Sequence, residues 1–235
     1  VNIVLRQADL IIEVLDARFI EETRNSEIER KIEYLGKKIL YVINKCDLVN
    51  INELKLRKKE LQPSVYISST DKLGTTILKN KILEISRGKP VVVGVVGYPN
   101  VGKSSVINAL AGRHAARTSS ESGFTKGLQK VRVSSKIMLL DTPGVFSEEK
   151  APASVGLFGG IDYARIKDPE LVTIKLINEF ISIICDYYKV DGADAEEILV
   201  AVAGKLKRLR KGGKPDLEAT ARHILKDWQT GRRKM

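Results

Sequence analysis

Residues 97–104 carry the residue types of a phosphate-binding loop. They read Gly-Tyr-Pro-Asn-Val-Gly-Lys-Ser and fit the pattern Gly-x-x-x-x-Gly-Lys-Ser, in which glycines let backbone N–H groups surround a phosphate. In such a loop Lys103 is expected to bridge the β- and γ-phosphates, and the Ser104 hydroxyl is expected to bind Mg²⁺. The predicted nucleotide contacts from this loop are Asn100, Val101, Gly102, Lys103, Ser104 and Ser105.

Residues 44–47, Asn-Lys-Cys-Asp, fit a pattern that selects guanine over adenine. An ionised Asp47 can accept hydrogen bonds from the ring N–H and the exocyclic amine of guanine. Adenine has an acceptor in place of that ring N–H, so it would leave a buried carboxylate unpaired. We expect the stem of Lys45 to lie along the base and Asn44 to tie this segment to the phosphate loop. The predicted contacts are Asn44, Lys45, Cys46 and Asp47, joined by Ser68 and Ser69 from a loop expected to offer a backbone N–H to the guanine carbonyl.

Residues 141–144, Asp-Thr-Pro-Gly, indicate the end of the site that binds the metal and senses the γ-phosphate. Asp141 is expected to hold the Mg²⁺ shell, and the Gly144 N–H to contact the γ-phosphate. Thr125 is the candidate that closes over the metal. The predicted catalytic residues are Lys103, Thr125, Asp141 and Gly144, and the predicted Mg²⁺ ligands are Ser104, Thr125 and Asp141.

Val145 stands where many GTPases carry a glutamine that orients the attacking water. A valine side chain cannot orient water, so we expect intrinsic hydrolysis to be slow or to need help. Asn100 suggests one helper, a K⁺ ion held by its side-chain oxygen against the phosphates. The alternative for Asn100 is a structural role in the loop.

The order of these segments is reversed relative to an ordinary GTPase, where the phosphate loop comes first. Apolar strands alternate with helices up to about residue 150, which predicts an α/β fold with a doubly wound, mostly parallel sheet. Each motif follows a predicted strand, and ligands collect at the carboxyl ends of parallel strands. The predicted strands are 10–15, 39–43, 65–67, 91–96, 130–133 and 136–140, and the predicted helices are 26–35, 52–61, 75–87 and 103–110.

Beyond about residue 150 the pattern is helical. We therefore predict a circularly permuted GTP-binding domain over residues 1–150 and a small all-helical domain over residues 151–235. Asp168 before Pro169 predicts a helix start, and Asp194 with Glu197 resembles a capping box. Apolar residues at helical spacing predict the core faces. They are Leu171, Ile174, Ile177, Ile181 and Ile184, then Ile198, Val202, Leu206 and Leu209, then Leu217, Ala221, Ile224 and Trp228.

The formal net charge of +11 is unevenly spread along the chain. Residues 1–150 carry 25 basic and 17 acidic side chains, whereas the much shorter segment 205–235 carries 11 basic and 3 acidic side chains. A segment of this density suggests a polyanion such as RNA, and the alternative is a solvated helix face. Lys205, Arg208 and Lys211 are expected to share one helix face. The predicted RNA contacts are Lys205, Lys207, Arg208, Arg210, Lys211, Lys214, Arg222 and Lys226.

Composition excludes several other classes of protein. Two cysteines, Cys46 and Cys185, lie far apart, which makes a disulfide or a metal cluster a poor expectation. No apolar run approaches the roughly 18 residues of a membrane helix, and no signal-peptide pattern opens the chain. We expect a cytoplasmic monomer without a membrane partner.

With these motifs in this order, the chain resembles the circularly permuted GTPases of the YlqF/YawG type. The similarity includes residues 16–18, Asp-Ala-Arg, with Arg24-Asn25 shortly after, and a carboxyl-terminal stretch from Arg210 through Trp228 and Gly231. Ile20 departs from the family, in which a proline is usual after the Asp-Ala-Arg segment. The resemblance implies a GTPase of ribosome assembly that binds GTP or GDP, docks on ribosomal RNA or a large-subunit precursor, and is stimulated by K⁺.

The predicted function is a GTP-hydrolysing switch in large-subunit assembly, with Mg²⁺ and K⁺ as cofactors. The alternative is a GTP-dependent RNA-binding scaffold with negligible turnover, which Val145 permits. A GTPase that acts on tRNA or at membranes is a further alternative, but neither an added catalytic domain nor a lipidation signal is visible.

Overall fold

The computed structural model describes residues 2–112, 129–141 and 163–230. The chain divides into two units, Val1–Ser147 and Glu148–Met235. The described strands of the first unit are β1 Leu10–Asp16, β2 Lys38–Asn44, β3 Ser64–Tyr66, β4 Val91–Val96, β5 Gln129–Arg132 and β6 Ile137–Asp141. Its described helices are α1 Asn2–Gln7, α2 Ile20–Thr23, α3 Ser26–Tyr34, α4 Ile51–Glu60, α5 Thr75–Ile85 and α6 Lys103–Ala111, with a 3-10 turn at Cys46–Leu48.

The described strands form one sheet in the order β3-β2-β1-β4-β6-β5. Neighbouring strands run parallel except for β5 and β6, which are antiparallel. The predicted doubly wound, mostly parallel sheet is therefore confirmed, as is the expected hairpin at its edge. Because β1 lies between β2 and β4, the carboxyl ends of these three strands meet at one edge of the sheet, with Asp16 opposite Asn44.

Apolar side chains fill both faces of this sheet. All seven residues of β1 are buried, as expected of a parallel strand that is covered on both sides by helices. Ile12 belongs to a core cluster with Leu78 of α5, whereas Ile11 belongs to another with Ile32 of α3. The alternation places successive residues of β1 on opposite faces.

The described helices of the second unit are α7 Pro169–Glu179, α8 Ile181–Tyr188, α9 Ala195–Lys205 and α10 Leu217–Thr230. None of the helices in the described ranges is long and apolar enough to span a membrane. Both predicted helix starts are confirmed. Asp168 accepts the Leu171 N–H at 3.0 Å, and Asp194 accepts the Glu197 N–H at 2.9 Å.

The first predicted apolar stripe of this unit is only partly correct. Ile177 and Ile184 are buried, but Leu171 is 49% exposed and Ile181 is 42% exposed. Steps of three residues drift around a helix of 3.6 residues per turn. In addition, the helix is interrupted between α7 and α8 at Phe180, which has a non-helical backbone (φ −127°, ψ 38°). The stripe therefore does not stay on one face.

Helix α9 ends in a Schellman motif. Lys207 adopts the left-handed conformation, with φ 53°. The N–H of Lys207 donates to the Gly204 carbonyl at 3.1 Å, and the N–H of Arg208 donates to the Ala203 carbonyl at 2.9 Å. These two bonds satisfy carbonyls at the helix end, so the helix stops at Lys205.

The predicted helix face through Lys205, Arg208 and Lys211 is therefore wrong. Arg208 and Lys211 follow the helix end, where Leu209 pairs with Pro215 in an isolated β-bridge. Leu209, predicted to lie in the core, is 53% exposed. The helical spacing of residues continues in the sequence past Lys205, but the Schellman motif ends the helix there, so the residues that follow no longer share a helix face.

Glu13 in β1 is a fully buried carboxyl group. Its Oε1 accepts the backbone N–H of Asn25 at 2.8 Å, and its Oε2 has no hydrogen-bond partner among the described residues. Burial raises the pKa of Glu13 to about 8, the Asn25 N–H opposes this shift, and the negative charge of Glu29 adds to it. Glu13 is therefore largely protonated at neutral pH in the folded chain.

The same network explains the Arg24-Asn25 segment in structural terms. The Asn25 side chain caps α3 by accepting the Ile28 N–H at 3.0 Å. Arg24 donates to both carboxylate oxygens of Glu29, each at 2.9 Å. These residues hold α3 against the buried Glu13.

We predict that Glu13→Gln removes a pH dependence of stability. Between the ordinary pKa of a glutamate, 4.5, and about 8, Glu13 is protonated in the folded chain but ionised in the unfolded chain. The free energy of unfolding of the unmodified chain should therefore fall as the pH rises through this window, by at most about 1.4 kcal/mol per pH unit. Chemical denaturation of both proteins at several pH values in the window measures the slope. An equal slope in the variant would contradict the assignment.

Candidate guanine nucleotide site

The predicted base-reading and phosphate-binding segments lie side by side at the carboxyl edge of the sheet. Residues 44–47 follow β2, and residues 97–104 follow β4. Asp16, at the end of β1, lies between them in the strand order. This edge is where ligands bind in doubly wound folds.

The side-chain amide of Asn44 joins three loops. Asn44 Nδ2 donates to the Val101 carbonyl of the phosphate loop at 2.9 Å, which is the tie that the sequence predicts. Asn44 Oδ1 accepts the Ser69 N–H at 3.1 Å. Asn44 is 1% exposed, so these bonds are shielded from water. The base reader (residues 44–47), the phosphate loop (residues 97–104) and the loop 68–70 are therefore held together by one side chain.

Two glycines of the phosphate loop are required by close contacts. Gly102 has a φ of +99°, and a Cβ added there would lie 2.3 Å from Asn44 Nδ2. Gly97 has a φ of +143°, and its added Cβ would lie 2.5 Å from the Val14 carbonyl oxygen. Any side chain at either position would clash and would also place an L residue in a strained conformation.

Lys103 begins α6 and is buried, at 8% exposure. Its Nζ donates to the carbonyls of Gly97 and Tyr98 at 2.9 and 2.7 Å. The ammonium group therefore lies across the phosphate loop itself.

Asp16 collects two cations beside the base reader. Its Oδ2 lies 2.9 Å from Lys45 Nζ and 2.8 Å from Arg18 Nη2. Its Oδ1 accepts Arg18 Nε at 3.0 Å and the Arg18 backbone N–H at 3.1 Å. Burial alone would raise the pKa of Asp16, but Lys45 and Arg18 hold it well below its usual range. Asp16 is therefore ionised at physiological pH.

The sequence did not predict Asp16 or Arg18 as site residues. They enter only as part of a segment typical of the resembling family. The available signal was an acidic residue at the end of the strand next to the base reader, since the ends of neighbouring parallel strands share one edge.

The loop 68–70 uses part of its backbone within the protein. The Ser68 N–H donates to the Leu73 carbonyl at 3.1 Å, and the Ser69 N–H donates to Asn44 Oδ1. The Ser68 hydroxyl accepts the Asp71 N–H at 3.2 Å. Ser68 and Ser69 therefore shape the loop. Thr70, which follows them, is exposed.

Cys46 is fully buried within the base-reading segment. Its N–H donates to the Ile67 carbonyl at 3.1 Å, which fixes the segment to the end of β3. Burial raises the pKa of the Cys46 thiol to about 11, and the charge of Asp47 adds to this shift. Cys46 is therefore a packing residue and an unreactive thiol.

The predicted Mg²⁺ ligands fit the cation in chemical type. Ser104 lies in the first turn of α6, and Asp141 is the last residue of β6, opposite Val95 of β4. Hydroxyl and carboxylate oxygens are the donors that Mg²⁺ prefers. Thr125 and Gly144 lie outside the described residues. Asn100, the predicted K⁺ contact, adopts the left-handed conformation with φ 60°.

The predicted RNA contacts in the second unit fall into two groups, side chains that make contacts within the protein and side chains that are only exposed. Arg222 donates to the carbonyls of Tyr163 and Ala164 at 3.1 and 3.2 Å, and Lys226 lies 5.9 Å from the centre of the Tyr163 ring. The other residues with internal contacts are Arg208, 3.0 Å from His223 Nδ1, and Arg210, 3.3 Å from Asp216. Those whose side chains are simply exposed are Lys205, Lys207, Lys211 and Lys214.

Known proteins are similar to this chain in sequence and in fold. Residues 92–202 match the family model described as 50S ribosome-binding GTPase. An uncharacterized GTP-binding protein of Methanocaldococcus jannaschii is 42% identical over 241 residues, covering 99% of this chain and 64% of that protein. A nuclear GTP-binding protein of Saccharomyces cerevisiae is 29% identical over 277 residues, covering 97% of this chain and 53% of that protein. This chain thus spans between about half and two thirds of these relatives.

A solved structure shows the same fold. YlqF from T. maritima, bound to GNP, matches with a TM-score of 0.71 at 23% identity, covering 98% of this chain and 92% of that one. Fold, motif order and site together define a circularly permuted protein with the P-loop GTPase fold, as predicted. The predicted resemblance to circularly permuted GTPases of the YlqF/YawG type is confirmed as a likeness of fold, and residues 92–202 match a GTPase family model.

We predict that Gly102→Ala weakens nucleotide binding whereas Gly112→Ala does not. Both glycines have positive φ and flank α6, but a Cβ at Gly112 meets nothing within 4 Å. The Gly102 Cβ would push the Asn44 amide from its place and break the link between base reader and phosphate loop. We expect affinity for GDP to fall at least about tenfold, the equivalent of one buried hydrogen bond. Calorimetry on both variants tests this, and equal affinities would contradict it.

Proposed function

We propose that this chain binds GTP and GDP at the edge formed by β1, β2 and β4, and that it hydrolyses GTP. The observation that carries the proposal is the Asn44 bridge, because it holds a guanine-reading segment and a phosphate loop in one site. The relatives whose names include GTP binding match nearly the whole of this chain. Their similarity supports the same ligand here.

Base selection rests on Asp47 and on the loop 68–70. Asp47 lies in the 3-10 turn Cys46–Leu48, where its carboxylate can accept both donors of guanine. Because the N–H groups of Ser68 and Ser69 already donate within the protein, we assign the contact to the guanine carbonyl to the Thr70 N–H. This assignment moves the predicted contact one residue along the loop.

Phosphate binding and hydrolysis use the groups at the other end of the site. Lys103 and the N–H groups that begin α6 supply positive charge to the phosphates. Ser104 and Asp141 would hold Mg²⁺, which, when bound, neutralises charge that develops on the phosphate oxygens. Thr125 and Gly144 keep their proposed roles over the metal and at the γ-phosphate. Val145 leaves the water-orienting role to another group.

Asn100 is the proposed K⁺ contact, through its side-chain oxygen in the phosphate loop. The alternative function is a GTP-dependent scaffold with negligible turnover. Phosphate release measured with and without K⁺, and with and without ribosomal particles, separates the two. Turnover that stays negligible in every condition favours the scaffold.

For the second unit we propose binding to ribosomal RNA or to a large-subunit precursor. The family description that residues 92–202 match names ribosome binding. Four exposed lysines, Lys205, Lys207, Lys211 and Lys214, surround the turn after α9, and exposed cations are suited to phosphates. Arg208, Arg210, Arg222 and Lys226 have contacts within the protein, so we give them a secondary part.

We predict that Asp47→Asn changes base preference from guanine to xanthine. The amide can donate where the carboxylate only accepted, and xanthine has a carbonyl where guanine has its amine. Affinity for GDP should fall at least about a hundredfold, because buried polar groups would be left unpaired. Calorimetry with GDP and xanthosine diphosphate measures the change. Asp71→Asn, an exposed carboxylate in the neighbouring loop, is the matched control, and an unchanged preference for GDP in Asp47→Asn would refute the base-reading role.

We predict that Lys211→Glu with Lys214→Glu weakens binding to ribosomal RNA at least about tenfold without changing GDP affinity. Losing two phosphate contacts should also lower the slope of log K against log salt by about 2. Lys175→Glu with Lys189→Glu makes the same change of charge at two other exposed lysines of this unit. Filter binding over a range of salt compares the two proteins. Equal losses in both would indicate an effect of net charge alone.

A further inference from the structure

Asp16 is a buried carboxylate beside the base-reading segment, and it contacts Lys45 and Arg18. It ends β1, opposite Asn44 at the end of β2. Its side chain is 2% exposed and contacts the ammonium of Lys45 at 2.9 Å. Lys45 is the residue whose stem is expected to lie along the guanine base, and its side chain is 14% exposed.

We propose that Asp16 is a positioning residue for guanine binding: it holds the Lys45 ammonium so that the lysine stem lies in place before the base arrives. Arg18 completes the arrangement by fixing Asp16. This inference rests on the proposed function, because it concerns the base-binding half of the same site.

The contacts around Asp16 are those of a fixed anchor. Arg18 donates to it from its backbone N–H, from Nε and from Nη2. A guanidinium that binds both oxygens of a carboxylate sets its orientation as well as its charge. One Asp16 oxygen then serves both Arg18 Nη2 and Lys45 Nζ, so the lysine has a defined acceptor.

The backbone attaches this anchor to the base reader. The Ala17 N–H donates to the Asn44 carbonyl at 2.8 Å, and the Asp16 N–H donates to the Thr23 hydroxyl at 3.1 Å. Lys45 itself has a left-handed backbone, with φ 63°. The start of the lysine side chain is therefore set by the turn, and its far end by Asp16.

Fixing a long side chain in advance favours binding. A lysine side chain that is mobile before binding loses rotamer entropy when a ligand immobilises it, and this loss weakens affinity. An amide in place of Asp16 would also leave two neighbouring cations, Arg18 and Lys45, without the anion between them. Their repulsion would move Lys45 away from the position over the base.

The experiment measures the dissociation constant for GDP in Asp16→Asn, Lys45→Met and the double variant. Lys45→Met keeps an apolar stem but removes the ammonium. We expect each single variant to bind GDP about tenfold to a hundredfold more weakly. We expect the double variant to be no weaker than the weaker single one, because both changes remove the same interaction. Additive losses would overturn the proposal.

Glu29→Gln is the matched control. Glu29 is a partly buried carboxylate, 17% exposed, that also binds an arginine through both oxygens. It should keep the affinity of the unmodified chain for GDP even if its melting temperature falls. An equal loss of affinity in Glu29→Gln and Asp16→Asn would show a general effect of destabilisation and would overturn the proposal.

If Asp16→Asn does not fold, Arg18→Gln tests the same anchor with Asp16 and Lys45 intact. We expect GDP to bind about threefold or more weakly, and an unchanged affinity overturns the proposal. Failure of the inference differs from failure of the proposed function. An unmodified chain that binds no guanine nucleotide defeats the function, whereas normal binding with an indifferent Asp16→Asn defeats only the positioning role.

Discussion

The side-chain amide of Asn44 is the interaction on which the nucleotide site depends. It is buried, and it donates to one loop while accepting from another. A primary amide can do this because it carries a donor and an acceptor on the same planar group. The glycine at position 102 exists in this setting because the amide occupies the space where a Cβ would lie. The phosphate loop and the base reader therefore constrain each other.

This constraint is independent of the order in which the chain supplies its parts. β1 lies between β2 and β4, so the segments that follow these strands meet at one edge whichever comes first. The chain moves from β3 through α5 into β4, joining what would be the two ends of an ordinary GTPase. Strand neighbours, rather than sequence neighbours, build the site, and circular permutation leaves them unchanged.

Two acidic residues of β1 show how surroundings set protonation. Glu13 and Asp16 are both buried, so burial acts on both carboxyls in the same direction. At Glu13 burial outweighs the hydrogen bond from the Asn25 N–H, and together with the neighbouring Glu29 carboxylate it raises the pKa to about 8. Asp16 has two cations, and its pKa falls below the usual range. One carboxyl therefore packs as a neutral group, and the other anchors charges beside the site.

Sequence by itself determined the six described strands and the helices α3 to α6 of the first unit, the reversed motif order and the residue types of the base-reading segment and the phosphate loop. These features depend on local spacing and on runs of apolar residues, which are visible in one dimension. Sequence did not predict the short helices α1 and α2. Tertiary structure decided what depends on distant neighbours and on burial. It alone brings Lys45 to Asp16 and buries Glu13 away from water. It also ends α9 before Lys207, which has a left-handed backbone, and so places Arg208 against His223. Partners of this kind are separated along the chain, so no periodicity encodes them.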